Sequence, residues 1–112
     1  MLEIAIKKTQ KATVLSIKGD VDLYSSPQVR KAIINQTKKK AKNLLIDLTA
    51  VEYMDSSGVA TLVEGLQQVG KYSGKLKLYG LNDAVKEVFE LSRLDKVFEI
   101  FKDENQAAGT LE

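Results

Sequence analysis

The run Asn43-Leu44-Leu45-Ile46-Asp47-Leu48 reads as a strand buried on both faces. Downstream, Val59, Leu62, Val63, Leu66 and Val69 recur at helical spacing, with Glu64, Gln67, Gln68 and Lys71 turned outward. A doubly buried strand that leads into an amphipathic helix needs a sheet with helices laid against it. Between the two lies Asp55-Ser56-Ser57-Gly58, where a helix begins and its first N–H groups lack intrahelical partners. A hydroxyl held there serves either as a cap or as a phosphate acceptor.

The flanking segments extend the pattern. Leu2, Ile4 and Ile6 alternate with Glu3, Ala5 and Lys7, and Val14, Leu15 and Ile17 follow a polar turn over 8–11. Together these predict an N-terminal antiparallel hairpin. Ser26 and Pro27 read as the N-cap and first position of a helix whose apolar face is Val29, Ala32, Ile33 and Gln36, with Ile34 on its flank. Gly70 and Gly74 mark a helix stop and turn, and Lys75–Tyr79 alternates as a strand. Asn82 or Asp83 caps a further helix with Val85, Val88, Phe89 and Ser92 at helical spacing, and residues 97–101 form a last strand. Residues 102–112 are a polar tail or a short helix, with Leu111-Glu112 set aside as a cloning remnant. The expectation is one α/β domain over 1–112, with a mostly parallel, mixed sheet of four to five strands.

Composition removes several function classes. With no Cys and no His, disulfides, Cys/His zinc sites and a Ser-His-Asp nucleophile are excluded. Seventeen basic and 15 acidic residues give a net charge of +2, too balanced for a nucleic-acid argument. The run Lys38-Lys39-Lys40-Ala41-Lys42 reads as a solvated helix end, where cations suit the negative end of the dipole. No segment has the length of a membrane helix or the form of a signal peptide, so a cytoplasmic protein without membrane attachment is expected.

Asp-Ser-Ser-Gly alone describes a capped helix start. Two features add a functional reading. Two hydroxyls stand beside a flexible Gly58 where one would cap. A phosphate on Ser56 would add about −1.5 to −2 charge and three strong acceptors, with the N–H groups of Ser57 and Gly58 near it. Asp20 and Asp22 close the second predicted strand and Asp55 precedes Ser56. If those loops meet at one sheet edge, a phosphate there is repelled by carboxylates.

Over residues 2–101 the chain resembles STAS-domain proteins of the anti-sigma factor antagonist type. The resemblance rests on Gly19-Asp20-Val21-Asp22 with Ser25-Ser26-Pro27, then Leu45–Leu48, Tyr53-Met54-Asp55-Ser56-Ser57-Gly58 and Leu91–Phe98. It implies a single STAS-like domain and a regulatory switch, not an enzyme, with no cofactor or metal of its own. It implies that an anti-sigma factor with ATP-dependent serine kinase activity phosphorylates Ser56. The unphosphorylated form binds that partner and frees its sigma factor, and a metal-dependent serine phosphatase restores the binding form. Asp22 and Asp55 would contact the kinase, with Asp20, Ser26, Ser57 and Gly58 alongside, and the free chain would be a monomer. The rival is a STAS-type adaptor, or a small subunit of a lipid-transport assembly, that does not use serine phosphorylation.

Overall fold

The computed structural model describes residues 2–111; Met1 and Glu112, and with them the ends of the terminal expectations above, lie outside it. Strands β1 (Glu3–Lys8) and β2 (Thr13–Lys18) form the antiparallel hairpin. Strands β3 (Asn43–Ala50), β4 (Lys75–Tyr79) and β5 (Glu99–Phe101) then add in parallel, giving the five-stranded order β1-β2-β3-β4-β5. Helices α1 (Ser26–Lys38), α2 (Ser56–Gly70) and α3 (Asp83–Leu91) occupy the three parallel connections. Because the strand order steps in one direction only, right-handed crossovers place all three helices on the same face.

The register explains the core. Leu15, Ile46 and Leu78 are neighbours across β2, β3 and β4. They pack with Val29 and Ile33 of α1, Leu62 and Val69 of α2, and Val85 and Phe89 of α3. Shifting by one residue gives Val14, Leu45 and Lys77 on the opposite face. There, α4 (Glu104–Gly109) closes a second cluster of Val14, Leu45, Tyr79, Ala107 and Leu111. The doubly buried reading of β3 therefore holds, with three helices covering one side and α4 the other.

The polar tail is thus a docked helix, and Leu111, set aside from the fold reasoning, is buried. Its neighbour Lys77 does not point to water as strand alternation suggests. Lys77 Nζ donates to Thr110 Oγ1 at 2.6 Å, lies 3.2 Å from Glu99 and sits over the Phe101 ring. Its apolar stem fills the cluster while the ammonium keeps its partners. Burial, helped by Asp47 and Glu104, holds the Tyr79 hydroxyl in its neutral form well above the usual tyrosine range, and it donates to Glu104 at 3.3 Å.

Four local expectations shift. Ile6 is exposed, on the edge strand β1. Ser25, not Ser26, is the N-cap position of α1, and its side chain bonds into the preceding turn instead of capping the helix. Gly70 is still helical, and the left-handed residue that turns the chain is Ser73, with Gly74 N donating to Val69 O. Residues 97 and 98 lie outside the last strand, after a 3₁₀ turn at Leu94–Lys96.

Candidate functional site

The loops that leave β2 and β3 are stitched together beyond the strands. Val21 N donates to Tyr53 O at 2.9 Å, and Asp55 N donates to Val21 O at 3.1 Å. This parallel bridge between Val21 and Met54 continues the sheet for one more step. It brings the Asp20–Ser25 loop against the start of α2, so the two sets of carboxylates share one sheet edge.

Asp55 is the N-cap of α2. Its carboxylate accepts from Ser57 N at 2.9 Å and Gly58 N at 3.4 Å, two of the donors that a helix start leaves unpaired. The Ser57 hydroxyl also donates to it, at 2.5 Å. The Ser57 hydroxyl, with smaller help from the Ser57, Gly58 and Leu23 amides, holds the Asp55 carboxyl below its usual range against the opposing effect of burial. The sequence reading offered the Ser57 and Gly58 amides to a phosphate on Ser56. In the folded chain the Asp55 carboxylate already uses both.

Ser56 is the first residue of α2, is exposed, and its hydroxyl has no hydrogen-bond partner among the described residues. The two serines therefore divide the work: Ser57 completes the cap and Ser56 is presented to solvent. Beside Ser56, α2 and α3 leave a mostly apolar groove of about 390 Å³, lined by Val59, Ala60, Val63, Val88, Ser92 and Leu94. A larger depression of about 690 Å³, with Lys86, Glu90, Lys102 and Asp103 on its walls, lies past β4 and β5 and includes none of the expected site residues.

The remaining expected residues differ in character. Asp22 Oδ1 accepts from Tyr24 N and Ser25 N at 2.9 Å each, so its carboxylate organises its own turn. Asp20 is exposed, and its carbonyl accepts from Ser25 Oγ at 2.8 Å. Ser26 is buried, with its amide donating to Asp22 O. Gly58 is buried too, and its need is space, not flexibility. A Cβ there would lie 2.7 Å from Met54 Cγ and 2.8 Å from Val21 Cγ1.

Three residues at this edge are not among the expected site residues: Leu23, Tyr24 and Tyr53, exposed by 68%, 90% and 52%. The available signal was their setting, large apolar or aromatic residues inside otherwise polar loop stretches. Among the described residues no cluster of acidic side chains could hold a metal ion, and no helix is long and apolar enough to cross a membrane.

The cap is testable by itself. Asp55→Ala should cost about 1 kcal/mol in chemical denaturation at neutral pH. Because folding lowers the Asp55 pKa, its contribution is fully present above the unfolded carboxylate value of about 4 and is lost as pH falls through the folded one. The gap between wild type and Asp55→Ala should therefore be constant above about pH 5 and narrow in acid. A gap that persists undiminished at low pH would contradict this assignment.

The chain belongs to the STAS-domain family, whose model matches residues 3–107. It is 33% identical over 93 residues to an anti-sigma-B factor antagonist of Listeria monocytogenes, covering 83% of this chain and 82% of that protein. Its fold matches an anti-sigma factor antagonist of Mycobacterium paratuberculosis with a TM-score of 0.92 at 24% identity, over 99% of this chain and 94% of the other. It also matches the Bacillus cell fate determinant SpoIIAA in its phosphorylated form, with a TM-score of 0.74 at 20% identity, over 96% and 97% of the two chains.

Proposed function

We propose that this protein is an anti-sigma factor antagonist switched by phosphorylation of Ser56. The observation that carries the reading is the unpartnered, exposed Ser56 hydroxyl at the first position of α2, beside a neighbour serine that is already committed to the cap. The names of its relatives support the partner class, an anti-sigma factor. A serine hydroxyl is a poor nucleophile unaided, and the chain has no His to activate it. The base, ATP and Mg²⁺ therefore come from a kinase, which the anti-sigma factor itself supplies. The chain contributes a presented hydroxyl and a docking edge, and acts in the cytoplasm as a monomer that pairs with its partner.

The arrangement favours a switch that turns binding off. A phosphate on Ser56 would bring about −1.5 to −2 charge next to Asp55, whose carboxylate occupies the nearby amides. Asp22 and Asp20 approach on the adjoining loop. A partner surface that packs against the neutral serine must, after phosphorylation, accommodate a bulky dianion stripped of its water. A loss of about 2.8 kcal/mol at the interface is a hundredfold in affinity, within reach of desolvating a charged group without full compensation. A serine phosphatase reverses the change.

The test is ATP-dependent phosphorylation by the purified anti-sigma factor kinases of the source organism, read by intact mass and fragment mapping. One phosphate on Ser56, with Ser57→Ala still labelled, is the expected result. Label confined to Ser57 would overturn the residue assignment. A chain that binds none of these kinases and stays unmodified would favour a STAS-type adaptor instead.

A further inference from the structure

We propose that Leu23, Tyr24 and Tyr53 form the anchor by which this protein docks its kinase partner, and that the partner meets them with an apolar recess rimmed by basic side chains. This rests on the switch reading of Ser56 and adds to it the residues and chemistry that select the partner.

Three observations carry it. Tyr24 is 90% exposed, Leu23 68% and Tyr53 52%, on the two loops joined by the Val21–Met54 bridge. No other stretch of the described chain exposes three large apolar side chains on stitched neighbouring loops. Ile6 lies on β1, Leu91 ends α3, and Val97 follows the 3₁₀ turn, each apart from these loops. Isolated apolar residues on a surface are ordinary, but a group beside a candidate site marks an interaction surface.

The loop that presents Leu23 and Tyr24 is also held in place. Asp22 Oδ1 takes the amides of Tyr24 and Ser25, Ser25 Oγ ties Asp22 N to Asp20 O, and Ser26 N closes on Asp22 O. An aromatic side chain on a pre-ordered loop loses little conformational freedom on binding, which is how tyrosine anchors concentrate binding energy.

Charge supplies the partner's chemistry. The stretches 19–25, 51–57 and 80–84, which follow β2, β3 and β4, contain Asp20, Asp22, Glu52, Asp55 and Asp83 and no Lys or Arg. The stretches 9–12, 38–42 and 71–75, which run up to β2, from the last residue of α1 up to β3, and to the first residue of β4, contain Lys11, Lys38, Lys39, Lys40, Lys42, Lys71 and Lys75 and no Asp or Glu. Hydrogen bonds from Lys75 N to Lys42 O and from Asn43 Nδ2 to Lys11 O hold these together at the opposite edge. Along β2, β3 and β4 the two strand ends thus differ in sign although the whole chain carries only +2, while β5 has Asp95 before it and Lys102 after it. A basic partner surface is steered to the Ser56 end and away from the lysine end.

The experiment measures binding of the purified anti-sigma factor kinase, and steady-state phosphorylation of Ser56, for wild type, Leu23→Ala, Tyr24→Ala, Tyr24→Phe, Tyr53→Ala and the opposite-edge control Lys75→Ala. Tyr24→Ala should raise Kd and KM at least tenfold with kcat changed less than twofold. Leu23→Ala and Tyr53→Ala should raise them severalfold, Tyr24→Phe should recover most of the loss, and Lys75→Ala should match wild type. Because these side chains are exposed, melting temperatures should stay within a few degrees, which separates docking from folding. Wild-type phosphorylation on Ser56 with all three alanine variants within twofold would overturn the anchor while leaving the switch intact. A wild type that no kinase binds or labels would overturn the switch and the anchor together.

Discussion

Ser56→Asp is expected to weaken binding to the anti-sigma partner by roughly tenfold to a hundredfold while leaving the fold as stable as wild type or slightly more so. The two effects have opposite signs for one physical reason. An acidic residue at the first position of α2 interacts favourably with the helix dipole, worth about 0.3–1 kcal/mol. In the interface, the same charge must give up water against the partner's apolar surface. A charge taken into a contact without a full set of partners costs several kcal/mol when buried, and partial exposure reduces that toward about 1.4–2.8 kcal/mol. Asp carries less charge than a phosphate, so the true modification should exceed the substitution. Ser56→Ala should bind like wild type and accept no label. Titration calorimetry beside thermal melts decides the matter: a Ser56→Asp variant that melts earlier and binds normally would invert both signs and remove the switch argument.

Ser57→Ala makes the contrast sharper. Its hydroxyl donates to Asp55, so losing it should let the Asp55 pKa rise toward the ordinary carboxylate range and cost about 1 kcal/mol of stability. The label on Ser56 should remain. Two adjacent serines thus separate into a stability residue and a switch residue, although Asp-Ser-Ser-Gly gives no sign of which is which.

What was legible in the chain followed from periodicity. The alternation of Leu44, Ile46 and Leu48 with Leu45, and the helical spacing of Val59, Leu62 and Val69, are local patterns that the core preserves. The features that were not legible depend on contacts distant in sequence. Lys77 is buried only because α4 folds back over β4, and Thr110 and Glu99 then receive its ammonium. The Ser57 and Gly58 amides are closed to a phosphate because Asp55 adopts the cap geometry, a choice that residue types alone leave open. Ser25 replaces Ser26 at the start of α1 because the Asp22 turn draws the hydroxyl backward. Tyr24 gives no sign of its role in the sequence, because large aromatic residues are mostly buried, and only its 90% exposure sets it apart.

Phe89→Ala should be the most damaging single change in the helix face of the core, at about 3–5 kcal/mol. Phe89 is fully buried and meets Phe98 edge-to-face, with ring centroids 5.5 Å apart at 84°, an arrangement that adds to the burial term itself. Phe98 lies just ahead of β5, so this pair pins α3 against the last strand. Removing the ring leaves a cavity that neighbouring side chains refill only in part. For a domain of this size each kcal/mol is about 4–8 °C, so melting should fall by about 15 °C or more. Leu91, two positions further along α3 and 78% exposed, provides the control, and Leu91→Ala should stay within about 0.5 kcal/mol of wild type. Urea unfolding with an unchanged slope and a lower midpoint is the expected form of the Phe89→Ala result. A loss below about 1.5 kcal/mol would mean that α3 does not pack on the sheet as described. The groove beside Ser56, of which Val88 and Ser92 form one wall, would then lack its support.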